Sequence, residues 1–304
     1  MLRSRLTLIV ALVLGLSACS PRQYLVNRLG DALTSGNSAY ASDADVMLVG
    51  EALPFSLKLV ESLLAESPRH RGLLTAAAQG FVLYSYGYVH FDAQRAADDD
   101  LARARRLGSR AKKLYLRANG YALRGLELSY PGFAQALHHQ PEVAVQRIGA
   151  TRDPADIALL YWSAASLGLA ISADRQDAAL VARMHEVQAL LDRAIALDEA
   201  WNRGALHEFA MAFDAARPDF VDERVIERHY TRALALSRGK RAGVLVSYAE
   251  AVSVRRQDRA QFEELLRRAL ALDLDADPDD RLVNALAQRR ARWLLARSEQ
   301  LFVE

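Results

Sequence analysis

Three near-copies of one four-residue phrase constrain the fold of the C-terminal half more than any other feature. The copies are Ala194-Ile195-Ala196-Leu197, Ala233-Leu234-Ala235-Leu236 and Ala269-Leu270-Ala271-Leu272. Each copy closes a stretch in which apolar residues recur three and four positions apart, the spacing of an amphipathic helix. The copies begin 39 and then 36 residues apart, close to the length of one helix–turn–helix repeat.

Helix pairs of this kind predict the fold class. A pair cannot bury its apolar face alone, so successive pairs stack and share one core. The composition agrees, since 51% of the residues are hydrophobic and Ala, Leu and Arg are abundant, which favours helices over sheets. The sequence therefore predicts an all-α, single-domain α-solenoid of tetratricopeptide-like helix pairs over residues 43–304.

Prolines and acidic residues indicate where several helices begin. Pro54 fits the first turn of a helix that continues to Glu66, where its missing N–H costs nothing. Asp153-Pro154 predicts another helix start. Asp258 predicts a third start, with the Gln261 side chain as its reciprocal capping partner.

The first residues have the pattern of a secretory leader. Arg3 and Arg5 precede an uncharged run, Leu6–Ala18, which is too short to span a bilayer and has the length of a signal-peptide core. Small residues then precede Cys19, the only cysteine of the chain, as in the bacterial lipobox. We therefore expect a signal peptide over 1–18, lipidation of Cys19, and a tether over 19–42. An ordinary secretory leader with a chance cysteine is the alternative.

The leader also indicates a location. Ser20 follows the cysteine where retention in the inner membrane calls for aspartate, so we expect a periplasmic protein anchored to the outer membrane. Two or more acyl chains hold a protein stably at a bilayer. A single cysteine excludes an internal disulfide and a thiolate metal cluster.

Charge and motifs limit the function classes. The formal net charge is +2, and two of the positive charges lie in the leader, so no nucleic-acid partner is expected. The chain contains no GxGxxG, GxxxxGK, GxSxG or HExxH pattern. His138-His139 is the single histidine cluster, and adjacent residues of a helix point apart. We therefore expect no catalytic residue, no metal and no cofactor beyond the lipid on Cys19.

Some charged and aromatic residues are candidates for a ligand channel. Lys58 and Glu61 are the interior charges of an otherwise apolar helix, so they are either a structural ion pair or part of a channel wall. Arg124 lies seven residues after Arg117 on one helix face. Tyr121 lies between these arginines and Glu127 follows one turn later, again as a structural pair or as part of a channel. Further aromatic residues suit either the core or an apolar pocket, and they are Tyr84, Tyr88, Tyr161 and Trp162.

Several longer segments resemble a known family. They are SDADVMLVGEALPFSLKLVESLLAESPRHRGLLTAAAQGFVLYSYGYV (42–89), KKLYLRANGYALRGLELSYPGF (112–133) and RLVNALAQRRARWLL (281–295). Together with the lipobox they resemble the T-component family of TRAP transporters, the TatT-like lipoproteins. The resemblance implies a periplasmic lipoprotein with a helical-repeat body, a ring-like homotrimer, and a hydrophobic channel through each subunit.

The resemblance also implies partners. In that family the body associates with the P-component, the solute-binding protein of a tripartite ATP-independent periplasmic transporter, and the inferred solutes are apolar or amphipathic molecules or lipids. Our leading interpretation is a lipid-anchored accessory subunit that scaffolds the P-component and binds or passes an apolar ligand. The alternative is a tetratricopeptide lipoprotein that serves as a scaffold for outer-membrane or pilus-type assembly.

Overall fold

A computed structural model describes residues 28, 30, 39–149, 154–217 and 222–303. Across these residues the regular backbone is helical and contains no strand, so the predicted all-α fold is confirmed. The predicted signal peptide, Cys19 and the tether as far as residue 38 lie outside the described residues, apart from Arg28 and Gly30. The predicted capping residue Asp153 lies outside them as well.

The helices follow one another with short connections. They are α1 (Val46–Glu66), α2 (Arg71–Tyr84), α3 (Phe91–Ala96), α4 (Leu101–Glu127), α5 (Phe133–His139), α6 (Pro141–Gln146), α7 (Pro154–Ala173), α8 (Ala178–Val181), α9 (Met184–Asp198), α10 (Ala205–Ala216), α11 (Glu223–Leu236), α12 (Ala242–Tyr248), α13 (Arg259–Leu270), α14 (Arg281–Leu295) and α15 (Ser298–Leu301). A π-helical turn, Ser85–His90, joins α2 to α3, and a second, Ala249–Ser253, continues α12.

Aspartate side chains cap several helix starts. Asp45 accepts hydrogen bonds from the backbone nitrogens of Met47 and Leu48, both at 3.0 Å, and α1 therefore begins before Pro54. The prediction that Pro54 lies in a first turn is wrong. One missing hydrogen bond does not stop a helix of 21 residues that is capped well upstream.

The capping at Asp258 differs from the prediction in one detail. Its carboxylate accepts from the Gln261 backbone nitrogen at 2.9 Å, as expected of a helix cap. The Gln261 side chain does not reach back to the cap, because its Oε1 is 2.8 Å from the Ser253 hydroxyl. The reciprocal half of the predicted capping box is therefore replaced by a contact with the second π-helical turn.

The repeated phrase marks helix ends, as the sequence indicates. The first copy lies at the end of α9, the second ends α11, and α13 ends within the third at Leu270. The first alanine of each copy, Ala194, Ala233 and Ala269, is fully buried. A side chain no larger than a methyl group lets the next helix approach closely at each of these points. The helices α10 and α11 pack against each other, and so do α12 and α13.

The helix α7 lies at the centre of the core. It packs against α4 on one side and α9 on the other, and Leu159, Leu160 and Leu167 are fully buried. A Cβ atom on Gly125 of α4 would lie 2.6 Å from a methyl carbon of Leu159, so glycine permits the close approach of α4 and α7. By length and composition α7 could cross a bilayer, but most of its apolar surface is buried by neighbouring helices.

The two ends of the described chain are in contact. Val49 and Leu53 of α1 share an apolar cluster with Leu282 and Leu286 of α14. The backbone nitrogen of Leu282 also donates to the Ala41 carbonyl at 2.9 Å. An open stack of helix pairs would keep its first and last helices apart. Here they meet, and the described helices surround an internal space that is partly open to solvent.

Candidate functional site

The internal space is a cavity of about 350 Å³. Its wall is built from α2, the first π-helical turn, α7, α10, α12 and α14, so it draws on both ends of the chain. The wall is mostly aliphatic and aromatic, and the side chains that define its apolar part are Val82, Leu83, Tyr161, Trp162, Leu169 and Phe209. The size lies in the range of roughly 300–1,000 Å³ that small-molecule sites occupy.

Aromatic rings form one side of the cavity. The Tyr161 ring centroid is 4.7 Å from that of Trp162, 5.0 Å from that of Trp201 and 6.2 Å from that of Phe209. Such tilted and edge-to-face contacts hold rings in fixed orientations. Burial raises the pKa of the Tyr161 hydroxyl, which therefore stays protonated and can donate a hydrogen bond.

The two π-helical turns lie on either side of Arg290 in α14. The Arg290 guanidinium donates to both carboxylate oxygens of Glu250, at 2.7 and 2.6 Å, and lies 5.7 Å from the Tyr86 ring centroid. Tyr86 is 39% exposed, although burial raises the pKa of its hydroxyl. Since protein surrounds this side chain, we infer that its exposed surface faces the cavity.

Glu208 of α10 provides a carboxylate at the cavity wall. Its side chain keeps 23% exposure, yet burial raises its pKa, and nearby Asp280 raises it further against the opposing charge of Arg241. Gly243 makes room for this carboxylate, because a Cβ atom there would overlap Oε1 of Glu208. The cavity therefore has a polar region beside its apolar wall.

Arg289 provides a positive charge elsewhere on the wall. Its guanidinium donates to the Gly87 carbonyl of the first π-helical turn. It also lies 5.3 Å from the Tyr88 centroid and 4.6 Å from the Phe91 centroid. Burial lowers the pKa of Arg289. Contacts with ring faces partly replace the water that such a cation loses.

Two of the eight side chains predicted to line a channel, Tyr161 and Trp162, lie on the cavity wall. The other six do not line it. One of them is 69% exposed on α1, and the other five contact neighbouring parts of the fold. These six are Lys58, Glu61, Tyr84, Tyr88, Tyr121 and Arg124.

Glu61 is the centre of the α1–α4 interface. Its side chain is only 9% exposed, and it accepts from Tyr121 Oη at 2.6 Å, from Lys58 Nζ at 2.8 Å and from Arg117. Arg124 lies 5.5 Å from the Tyr121 centroid and donates to the Pro68 carbonyl at 3.3 Å. This arrangement corresponds to the structural ion pair that the sequence left open.

Tyr84 and Tyr88 fasten the first π-helical turn to its neighbours. Their ring centroids are 5.9 Å apart. The Tyr88 hydroxyl donates to the Val46 carbonyl at 2.8 Å, and Arg110 donates to the Tyr84 hydroxyl at 3.3 Å. Burial raises the pKa of Tyr88 to about 12. Both side chains therefore support the turn that presents Tyr86 and Gly87 to the cavity.

The polar residues of the wall were missed by the sequence analysis. Glu208 carried a usable signal, because it lies among apolar residues in the run ALHEFAMAF, the same criterion that selected Lys58 and Glu61. Arg289 and Arg290 carried none, since paired arginines are ordinary on the exposed face of an amphipathic helix. Among the residues that the structure describes, no cluster of three or more His, Cys, Asp or Glu side chains could hold a metal ion.

These features define an all-helical protein whose two ends close around an apolar cavity with a polar region. Comparison with known sequences identifies the family. The model of the TRAP transporter T-component family matches residues 42–302, and the chain belongs to this family. It is also 32% identical over 268 residues to an uncharacterized protein of Treponema pallidum (strain Nichols), a match that covers 87% of this chain and 83% of the other.

Membership places the chain among transporter components rather than in an enzyme family. It supports an accessory role in TRAP transport, association with other TRAP subunits, and a periplasmic or membrane-associated setting.

Replacing Glu61 by Gln tests its structural role. Burial opposes the charged form, but the hydrogen bonds from Lys58 and Tyr121 and the charge of Arg117 outweigh it and hold the pKa of Glu61 below its ordinary 4.5. We expect E61Q to lower the free energy of unfolding by ~1–3 kcal/mol at pH 7. Because the native pKa is depressed, this difference should persist above pH 4.5 and shrink as the pH falls through the native pKa.

Urea unfolding at pH 7 and at pH 3.5 measures this difference. The matched control is K58A, whose side chain is 69% exposed, and it should change stability by at most ~1 kcal/mol. Equal stability of E61Q and the wild type at pH 7 would contradict the structural role.

Proposed function

We propose that this chain is a lipid-anchored periplasmic subunit that scaffolds the solute-binding P-component of a TRAP transporter and holds an apolar molecule in its internal cavity. The observation that carries the proposal is the cavity itself, bounded by helices from both ends of the chain and lined mainly by apolar side chains. Family membership supports the transporter setting.

The cavity wall suits binding rather than chemistry. An alkyl or ring system beside Tyr161, Phe209 and Leu169 would leave water, and each buried methylene group contributes about 0.8 kcal/mol. The rings are held by one another, so little side-chain freedom would be lost on binding. The proposed mechanism needs no catalytic group, and the energy for uptake comes from the ion gradient used by separate membrane subunits.

The exposed surface of α1 supports association with other chains. Phe55 is 75% exposed, Met47 65%, Leu48 55% and Leu59 41%. Large apolar side chains grouped on one exposed helix are typical of interaction surfaces. We propose that such surfaces serve the homotrimer and the contact with the P-component. The alternative, a scaffold for outer-membrane or pilus-type assembly, would use the same surfaces without a solute-binding protein.

Isolation of the tagged full-length chain from its native membranes tests the partners. We expect the P-component to be recovered with it, and the mass of the complex to include three copies of this chain. Replacing Phe55 by Asp should reduce the recovery of one or both, whereas V143D, at another exposed apolar residue (62%), should not. Recovery of a monomer without a solute-binding protein would contradict the scaffold role.

Replacing Cys19 by Ala tests the anchor. Without a thiol there is no attachment point for acyl chains, so C19A should move from the membrane fraction to the soluble periplasmic fraction. Detergent partition of wild type and C19A measures this. A C19A protein that stays in the detergent phase would show that the chain is held by something other than a lipid on Cys19.

Filling the cavity tests ligand binding. Ala212 lines the wall and is partly accessible, so A212W should place an indole in the cavity and weaken binding of the apolar dye N-phenyl-1-naphthylamine at least tenfold. The measurement is dye fluorescence during titration. A102W, on the exposed start of α4, is the matched control and should bind as the wild type does.

A second variant is needed in case the first misfolds, because bulky residues can destabilise a packed wall. A287F adds less volume at another partly accessible lining position, and thermal unfolding identifies a variant that remains folded. Undiminished dye binding by a folded cavity-filled variant would contradict the cavity as the binding site.

A further inference from the structure

In the polar region of the cavity, two carboxylates lie close to the single guanidinium of Arg241. Arg241 Nη1 donates to the Asn202 carbonyl at 2.8 Å. Its other nitrogens lie 3.7 Å from Asp280 Oδ1 and 4.0 Å from Glu208 Oε2. Both separations exceed a hydrogen-bond distance. One guanidinium therefore faces two carboxylates without a hydrogen bond to either.

Asp280 does not obtain a hydrogen bond from another donor in place of Arg241. Its side chain is 4% exposed, and Oδ1 lies 3.5 Å from Arg203, whose guanidinium already binds Asp277. The other oxygen, Oδ2, is buried and accepts no hydrogen bond from the residues that the structure describes. A buried carboxylate oxygen without a donor is costly.

Glu208 is the carboxylate that a ligand could reach. Its 23% exposure opens to the cavity, and the part of the chain that the structure describes supplies no hydrogen-bond donor to it. The wall opposite its Oε1 is the backbone of Gly243, which brings no side chain to the carboxylate. Its acceptor sites therefore remain available inside the cavity.

The two arginines of α14 that line the cavity do not offset this charge. Arg290 is held by both oxygens of Glu250. Arg289 lies on the Tyr88 and Phe91 rings and donates to the Gly87 carbonyl. Glu208 is thus an accessible acceptor on the wall that receives no hydrogen bond from the described residues, and it lies beside an apolar surface.

We propose that the cavity selects an amphipathic amine, whose ammonium group donates to Glu208 and whose hydrocarbon portion packs against the apolar wall. An ammonium group has three donors and one positive charge, which matches a carboxylate that shares its guanidinium with Asp280. A cation beside Glu208 would also lower its raised pKa again. The inference rests on the proposed binding of an apolar molecule in this cavity.

Three probes of equal chain length separate head-group preference from apolar binding. They are dodecylamine, dodecan-1-ol and dodecanoate, each below its micelle-forming concentration, competing with N-phenyl-1-naphthylamine for the full-length protein at pH 7. We expect dodecylamine to displace the dye at a concentration at least tenfold lower than the alcohol. We expect dodecanoate to be the weakest of the three.

Variants show which carboxylate causes the preference for the amine. E208Q keeps the shape of the side chain and removes its charge, so it should cut the advantage of the amine over the alcohol at least fivefold, measured as the ratio of the two displacement concentrations in the same variant. D280N, tested in the same way, should reduce the advantage less, because its oxygens are less accessible. E263Q, on the exposed face of α13, is the matched control and should keep the full advantage. Thermal unfolding checks that each variant is folded.

The outcomes distinguish this inference from the proposed function. Dye and alcohol binding without a preference for the amine overturns the inference and leaves apolar binding in place. A preference that survives in folded E208Q also overturns it. If neither the dye nor any amphiphile binds the wild-type protein, both the inference and the proposed apolar site fail. Tighter binding of dodecanoate would show that Arg289 rather than Glu208 sets the specificity.

Discussion

The contact between the first and last long helices is the constraint on which the cavity depends. Val49 and Leu53 of α1 pack against Leu282 and Leu286 of α14, far apart in the chain. Polar contacts accompany the apolar ones, since Arg281 donates to the Ser42 carbonyl at 2.8 Å. A contact of this range carries a large loop-closure cost, so it requires apolar burial as well as hydrogen bonds. Without it the wall formed by α14 would be missing.

The same closure orders the charged side chains. Arg290 reaches Gln94 at 2.9 Å as well as Glu250, and Arg297 pairs with Asp98 beside α3. The two π-helical turns present their groups to this helix, one through the Gly87 carbonyl and one through Glu250. Such turns are frequent at functional sites, since they shift side chains and free backbone groups. The polar and apolar parts of the cavity are therefore products of one tertiary contact.

Because the cavity depends on a tertiary contact, the sequence alone could predict the helices but not the cavity wall. Helix type and most helix starts follow from local patterns, and Asp45, Asp258 and the repeated Ala-Leu phrase act over a few residues. The prediction from Pro54 was wrong because the Asp45 cap starts the helix upstream of the proline. The lone-charge criterion found Glu61, which holds α1 to α4, and Lys58, which pairs with Glu61 within α1. Glu208 satisfied the same criterion and lies at the cavity. Only the fold decides which apolar helix faces an interface and which faces a cavity.

The central claim is that the closed ends enclose a space that holds an apolar molecule, in a chain of the TRAP transporter T-component family. The most direct measurement is native mass spectrometry of the full-length protein isolated from its own membranes, followed by denaturation to identify what is released. We expect a bound apolar or amphipathic molecule, one per chain. A chain that is empty on isolation and stays empty after incubation with a lipid extract of those membranes would contradict it.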